Sequence, residues 1–290
     1  MSRILIFIVI LLFSGNIRAQ VEVQADYNSI GDCLFSAYNN SGVPVYLQIN
    51  FADLENTYFS EPLPYIKKLI PGFNNLFTLP RDPNADVPRF NYDIKMYRSD
   101  PMAKIDLDFP YLIPFEPGKR VKVFDVNEID GFWGKNGLES WSATGFYANP
   151  GDKIFAARNG LVVEIAGVEK KGDPKTWYHA WNNALTLLQP DGTLICYHNI
   201  SIQQGKLKIG DYVYAGQEIG RVTSGADNMK VLIFHDSMLS KTILFVIPQF
   251  LIDKTDISIL NSSTEYVVVH PREIRALEMS KKEQRRFLGK

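Results

Sequence analysis

Trp141-Ser142-Ala143-Thr144-Gly145 opens a stretch that runs to Asp236 and is broken by glycine at short intervals: Pro150-Gly151-Asp152, Gly160-Leu161-Val162-Val163-Glu164, Asp191-Gly192, Gly210-Asp211 and Gly216-Gln217-Glu218-Ile219-Gly220. Apolar and β-branched runs of four to eight residues between such turns read as short strands of a compact all-β core. The aromatic fraction of 12% points the same way, since aromatic side chains favour the pleated, half-buried surface of a sheet.

Working outward, residues 20 to 125 read as a separate β-sandwich. Cys33-Leu34-Phe35-Ser36-Ala37-Tyr38 and Val43-Pro44-Val45-Tyr46-Leu47-Gln48-Ile49-Asn50-Phe51 alternate around Asn39-Asn40-Ser41-Gly42, the pattern of a β-hairpin. Further strands are expected at Phe77–Leu79, Asn91–Arg98 and Val121–Phe124. Prolines and charges between Pro110 and Asp130 place a boundary near residue 125. Residues 126–271 form the second unit, with closing strands at Thr242–Val246 and Tyr266–His270, and 272–290 is a polar tail. That tail reads as a solvated terminal helix, with docking to a partner as the alternative.

At the other end Arg3, the apolar run Ile4–Phe13 and the small residue Ala19 describe a signal peptide over residues 1–19. The run is shorter than the about 20 residues that cross a bilayer, so no transmembrane anchor is expected, and Gln20 after the cleavage point excludes a lipidated cysteine there. The expected location is outside the cytoplasm, periplasmic or extracellular. With 31 basic against 32 acidic residues the net charge is -1, which excludes the basic field that binds nucleic acid. Cys33 and Cys196 are too few for a disulfide-stapled scaffold and read as two buried thiols, with a single bridge between them as the alternative.

Several pieces of the central stretch, taken in order, resemble the lysostaphin-like or LytM-type zinc metallopeptidases that cut peptide crosslinks of bacterial cell walls. They are Ala148-Asn149-Pro150-Gly151-Asp152-Lys153-Ile154, Asn183-Ala184-Leu185-Thr186-Leu187 leading to Asp191-Gly192, and Leu207-Lys208-Ile209-Gly210-Asp211 leading to Ala215-Gly216-Gln217-Glu218-Ile219-Gly220. The resemblance covers about residues 130 to 240. It implies a lysostaphin-like, duplicated hybrid-motif β core, and in an active member a zinc held by His and Asp of an HxGxD motif and by the second His of an HxH motif.

The ligand positions depart from that pattern. Counted from Pro150-Gly151, HxGxD falls on Trp141 to Gly145, so Trp141 stands for the His and Gly145 for the Asp. HxH falls on Val231 and Ile233 before Phe234. Gln189 takes a third family His, and Asn199 the catalytic one, with Tyr197 two residues earlier; a shift by one restores His198. His235 shares strand parity with Val231 and Ile233 and becomes a ligand only if the register slides by two. His235-Asp236 is otherwise an ordinary polar strand end, and His198 a half-buried loop histidine.

A catalytic zinc takes three protein ligands and an open position. The apolar replacements suggest a metal site refilled by packing, with Trp141, Val231 and Ile233 converging on one spot. Trp177-Tyr178-His179-Ala180-Trp181 supplies aromatics for a partner surface or for a loop folded over the groove, in which Trp177, Tyr178, Trp181, Tyr197 and His235 are the candidate lining. The resemblance therefore implies a pseudoenzyme without cofactor that binds peptidoglycan or a cell-wall hydrolase. An active metallopeptidase with an unconventional site around His198, His235 and Asp236, and an envelope assembly protein, are the alternatives.

Overall fold

The computed structural model describes residues 20–127, 140–166, 183–203, 205–238 and 243–289. The expected signal peptide and the aromatic segment Trp177–Trp181 lie outside the described residues. Almost every element is a strand, as the glycine-punctuated sequence predicts.

Six strands build the N-terminal unit: β1 (Val21–Tyr27), β2 (Cys33–Asn39), β3 (Val45–Glu55), β4 (Tyr65–Leu69), β5 (Gly72–Leu79) and β6 (Arg89–Tyr97). They form two antiparallel sheets, ordered β1-β2-β5 and β4-β3-β6. Strands β2 and β3, expected to be a hairpin, therefore belong to different sheets and face each other. Both have an apolar face, and the sandwich buries Cys33, Phe35 and Ala37 of β2 against Val45, Leu47 and Ile49 of β3. The connection is an arch held by Asn39, 2% exposed, whose Nδ2 donates to the carbonyls of Val43 at 2.8 Å and Leu69 at 3.2 Å. A hairpin would have put both apolar faces on one side of one sheet, leaving each without a cover. Phe35 stacks on Phe77 with ring centroids 4.7 Å apart at the centre of this core.

The rest of the chain contributes β7 (Pro110–Tyr111), β8 (Arg120–Asp125), β9 (Thr144–Tyr147), β10 (Lys153–Phe155), β11 (Gly160–Ala166), β12 (Ala184–Leu188), β13 (Leu194–His198) and β14 (Ile200–Ser201). There follow β15 (Tyr212–Val213), β16 (Glu218–Val222), β17 (Asn228–Asp236), β18 (Ile243–Val246), β19 (Gln249–Leu251), β20 (Ile257–Ser258) and β21 (Glu265–Val267), then two short helices, α1 (Arg272–Ala276) and α2 (Lys281–Phe287). Nine strands form one antiparallel sheet, ordered β15-β11-β12-β13-β17-β9-β8-β21, with β18 on β17. Strand β8, found where the sequence expects a strand, pairs with β9 and β21 and so belongs to this large sheet.

Alternation along the central strands separates two faces. The inner face carries Phe146, Leu185, Leu187, Ile195, Tyr197, Val231 and Ile233, buried beneath the small sheets β10-β16-β14 and β20-β19-β7. Each fully buried large apolar side chain there contributes about 1.5–3 kcal/mol. The outer face carries Ala184, Leu194, Cys196, Leu232 and Phe234, covered by Phe245, Trp141, Phe124 and, from the N-terminal unit, Val43.

The N-terminal unit is tied to this outer face at two points. Arg98 pairs with Glu164 at 3.3 Å. Ser99 Oγ donates to Asp236 Oδ2 at 3.2 Å and accepts from the Asp236 N–H at 3.0 Å. Gly192, at φ +87°, sits so close to this seam that a Cβ there would lie 2.6 Å from Cβ of Ala103, so the Asp191-Gly192 turn is glycine for the contact as well as for its backbone.

The tail forms α1 and α2, helical and solvent-facing as expected with no buried residue in either, and it also touches its own chain. Glu278 binds the buried Arg158, Arg275 Nε donates to the Ala215 carbonyl at 3.1 Å, and Phe287 packs on Tyr214 at 4.2 Å between centroids. A capping box between Ser280 and Glu283 starts α2, and Glu283 also accepts from the Tyr214 hydroxyl at 2.8 Å. It docks on its own chain. Cys33 and Cys196 are both buried and unpaired.

Candidate functional site on the outer face of the large sheet

Pairing registers place the sequence-derived positions on rows that cross the sheet. Ala166 lies opposite Ala184, Ala184 opposite His198, His198 opposite Lys230, Lys230 opposite Gly145, and Gly145 opposite Phe124. Residues directly opposite in antiparallel strands project to the same side, so this six-residue row lies on the outer face. The next row is Glu164, Thr186, Cys196 and Leu232.

Four of the expected positions are on or over that face. Gly145 has no side chain, and a Cβ built on it would lie 2.4 Å from Cζ of Phe124, whose ring fills the space. Trp141 packs against the outer cluster, its ring 4.9 Å from Phe245 and its Nε1 donating to the Val126 carbonyl at 2.7 Å. His198 is 4% exposed, flanked by Ala184 and Lys230. Asn199 follows it in the left-handed region at φ 65°, a conformation asparagine tolerates, and donates to Asn228 Oδ1 at 2.9 Å, tying the end of β13 to the start of β17.

Val231 and Ile233 are elsewhere. Each is 1% exposed and belongs to the inner core, on the opposite face from Trp141, so the three do not converge. The reason is the two-residue period of a strand: an error of one in register moves every side chain through the sheet. On the face of Gly145 and Trp141, β17 presents Lys230 and Leu232 instead. The apolar character of Val231 and Ile233 is that of ordinary core positions.

Tyr197 also points inward, where its hydroxyl accepts from the buried Ala157 N–H at 2.8 Å; burial pushes its titration far above the ordinary range. Gln189 is 3% exposed, and its Oε1 is bonded to the hydroxyls of Tyr111 at 3.0 Å and Thr193 at 2.6 Å, away from the His198 row. His235 is half-buried, with Nδ1 3.0 Å from the Asp236 carbonyl oxygen, while Asp236 is engaged by Ser99 and by the Arg98 N–H at 3.2 Å. This strand end joins the two units.

The donor set does not fit a zinc ion. The row offers one imidazole, beside an ammonium that repels a cation, and at the two positions of the HxGxD ligands there stand a glycine and an indole whose only polar group is an N–H donor. Among the described residues no group of three or more His, Cys, Asp or Glu is arranged to hold a metal. Cys196 is no substitute nucleophile, because burial, and then the Glu164 carboxylate, push its thiol well above the ordinary value.

One polar cluster escaped the sequence reading. Arg158, 2% exposed, lies with its guanidinium carbon 3.7 Å from the Phe109 ring centroid, and donates to Asp191 at 2.7 Å, to Glu278 at 2.7 and 2.9 Å and to the Tyr111 hydroxyl at 3.2 Å. Burial pushes the Asp191 carboxyl up, but Arg158 and Thr193 outweigh it and hold it below its ordinary value. At Glu278 burial wins, and the carboxyl is raised. The available signal was an arginine between Ala156-Ala157 and Asn159-Gly160 in an otherwise apolar run.

No family model matches the chain, and no curated protein matches it. Among solved structures, the chain is similar to the catalytic domain of the antimicrobial peptidase lysostaphin from Staphylococcus simulans, at 25% identity and a TM-score of 0.29 over 45% of this chain and 88% of that one. It spans 40% and 45% of the chain in two other lysostaphin structures. Csd3 from Helicobacter pylori is similar over 89% of this chain and 56% of its own, at 12% identity and a TM-score of 0.32. The M23 metalloprotease pseudoalterin from the deep sea is similar over 57% and 98%, at 12% identity and a TM-score of 0.34. At these scores the likenesses leave the chemistry of the site to its own residues.

Proposed function

We propose that the chain is a non-catalytic relative of the lysostaphin-type peptidases, exported to the cell envelope, where it works by binding peptidoglycan or a cell-wall hydrolase. The supporting observation is the row Gly145–Lys230–His198. Where the resemblance implies carboxylate and imidazole ligands around an open metal position, this chain has an absent side chain, a cation and one nearly buried imidazole. The Phe124 ring over Gly145 and the indole of Trp141 bonded to Val126 fill the same face with packing. Buried ligands without a metal would each cost about 1–3 kcal/mol, so their replacement stabilises a chain that does not use the ion. Among the described residues no helix is long and apolar enough to cross a membrane.

Metal analysis of the purified chain after dialysis against a weak chelator tests the reading. The expected result is substoichiometric zinc together with sedimentation on purified cell-wall sacculi or capture of a wall hydrolase. One tightly held zinc per chain, accompanied by cleavage of crosslinked wall peptide, overturns it.

A further inference from the structure

A cleft of about 520 Å³ opens at the seam between the two units, well inside the range of small-ligand sites. It is lined by the β12–β13 turn, at the opposite end of those strands from the His198 row, and does not depend on the fate of that row. Its N-terminal wall carries Tyr46, Lys68, Asp100 and Lys104, and its other wall Gln189 and Tyr212, over the aliphatic side chains of Leu161 and Leu188.

The polar groups of this cleft are left incompletely used by the fold. Lys68 and Lys104 are exposed, and neither ion-pairs among the described residues. Lys68 lies opposite Tyr46 across β3 and β4, its Nζ 5.9 Å from the Tyr46 ring centroid. Asp100 receives only the N–H of Met102 at its Oδ1, whereas Asp191, the other acid in the lining, is neutralised by Arg158. Gln189 is 3% exposed and its side chain is turned into the core, toward Tyr111 and Thr193, so it closes the wall without offering a group to the cleft. Tyr212, 43% exposed, offers the flat face of its ring.

Two unpaired cations, one carboxylate without a cation and an aliphatic floor fit a ligand with a carboxylate, an amine and small apolar side chains. We infer that this cleft binds a short peptide with free termini, its C-terminal carboxylate on Lys68 and Lys104, its amine toward Asp100 and its methyl groups on Leu161 and Leu188. An amphiphile of this size uses lysines as point charges, for which the flexible ammonium is suited.

Titration calorimetry of the full chain with tetra-alanine tests this, using the same peptide amidated at its C-terminus and, separately, acetylated at its N-terminus. Saturable binding is expected, weakened about tenfold or more by amidation, the loss of one charge-assisted contact. The doubly charge-reversed variant K68E/K104E should lose the same factor while keeping its urea midpoint, and K254E, a distant exposed lysine, should bind as the parent does. Equal affinity for the amidated peptide, parental affinity in K68E/K104E, or no saturable binding at millimolar peptide each overturns the inference. If sacculi still sediment with the chain in those cases, the proposed function stands without this cleft.

Discussion

Replacing Arg158 by methionine isolates the energetics of the buried ionic cluster. The guanidinium is 2% exposed and is the only cation on Asp191 and Glu278 among the described residues, whose side chains are 7% and 16% exposed. Methionine keeps most of the volume over Phe109 but leaves both carboxylates without a counter-ion. Breaking a buried pair from one side costs about 3–5 kcal/mol, because the remaining charge stays desolvated. The cluster also fastens the tail, so the loss should appear as one lowered urea midpoint and as earlier proteolysis after Glu278. The pH dependence gives the sharper test. In the parent, Asp191 is lowered, so its contribution is present above the unfolded carboxylate range and is lost as pH falls. Glu278 is raised, so its contribution is present at low pH and is lost as pH rises through the folded value. Without Arg158 burial raises both groups, and the variant gains stability as they protonate. The deficit should therefore shrink between about pH 7.5 and about pH 5. The triple variant R158M/D191N/E278Q should regain at least about 2 kcal/mol at neutral pH, since no uncompensated charge remains. A deficit below about 1 kcal/mol, or one that does not change with pH, would refute the reasoning.

Tyr197→Phe removes the acceptor of the buried Ala157 N–H and should cost about 1–3 kcal/mol in urea unfolding with an unchanged slope; no loss would mean that the N–H finds another partner. Gly145→Ala drives a methyl into the Phe124 ring and should cost about 1–3 kcal/mol, and combining it with Phe124→Ala should show a coupling of about 1 kcal/mol or more. Simple additivity would show that the ring does not occupy the Gly145 position in solution. Neither thiol should react with a disulfide reagent in the native chain, since burial raises Cys33 to about 11 and Cys196 higher still, and both should react on unfolding. A rapid native equivalent would place one of them at the surface.

Strand existence was legible because glycine, asparagine and proline punctuate apolar runs whose alternation survives in the burial pattern, as in β2, where Cys33, Phe35, Ala37 and Asn39 are buried and Leu34 and Tyr38 are exposed. Strand partnership was not. The Asn39–Gly42 turn has hairpin chemistry, and nothing local says that Asn39 folds inward to bond Val43 and Leu69 and sends the chain to the opposite sheet. The contacts of the tail were hidden for a related reason. Residues 272–290 look solvated by composition, and only the three-dimensional placement of Arg158, Ala215 and Tyr214 shows what they dock on. Charged residues that are buried in partnership have no periodic signature, and Arg158 was hidden for that reason.

The candidate site turned on a single residue of register. Counting from Pro150-Gly151 puts Gly145 at a ligand position, and the outward row that includes Gly145 and Lys230 is compatible with it, whereas counting from Phe234 puts Val231 and Ile233 in the core. Both counts cannot describe one metal site, because the two sets project from opposite faces. The face defined by Gly145 also contains His198 and has Trp141 packed over it, and it excludes Tyr197 and Gln189. The imidazole that the count left ambiguous is thus the one histidine on the relevant row, next to Lys230 rather than beside a carboxylate. A row of that composition, with one nearly buried imidazole beside an ammonium, lacks the donor set that a zinc ion requires.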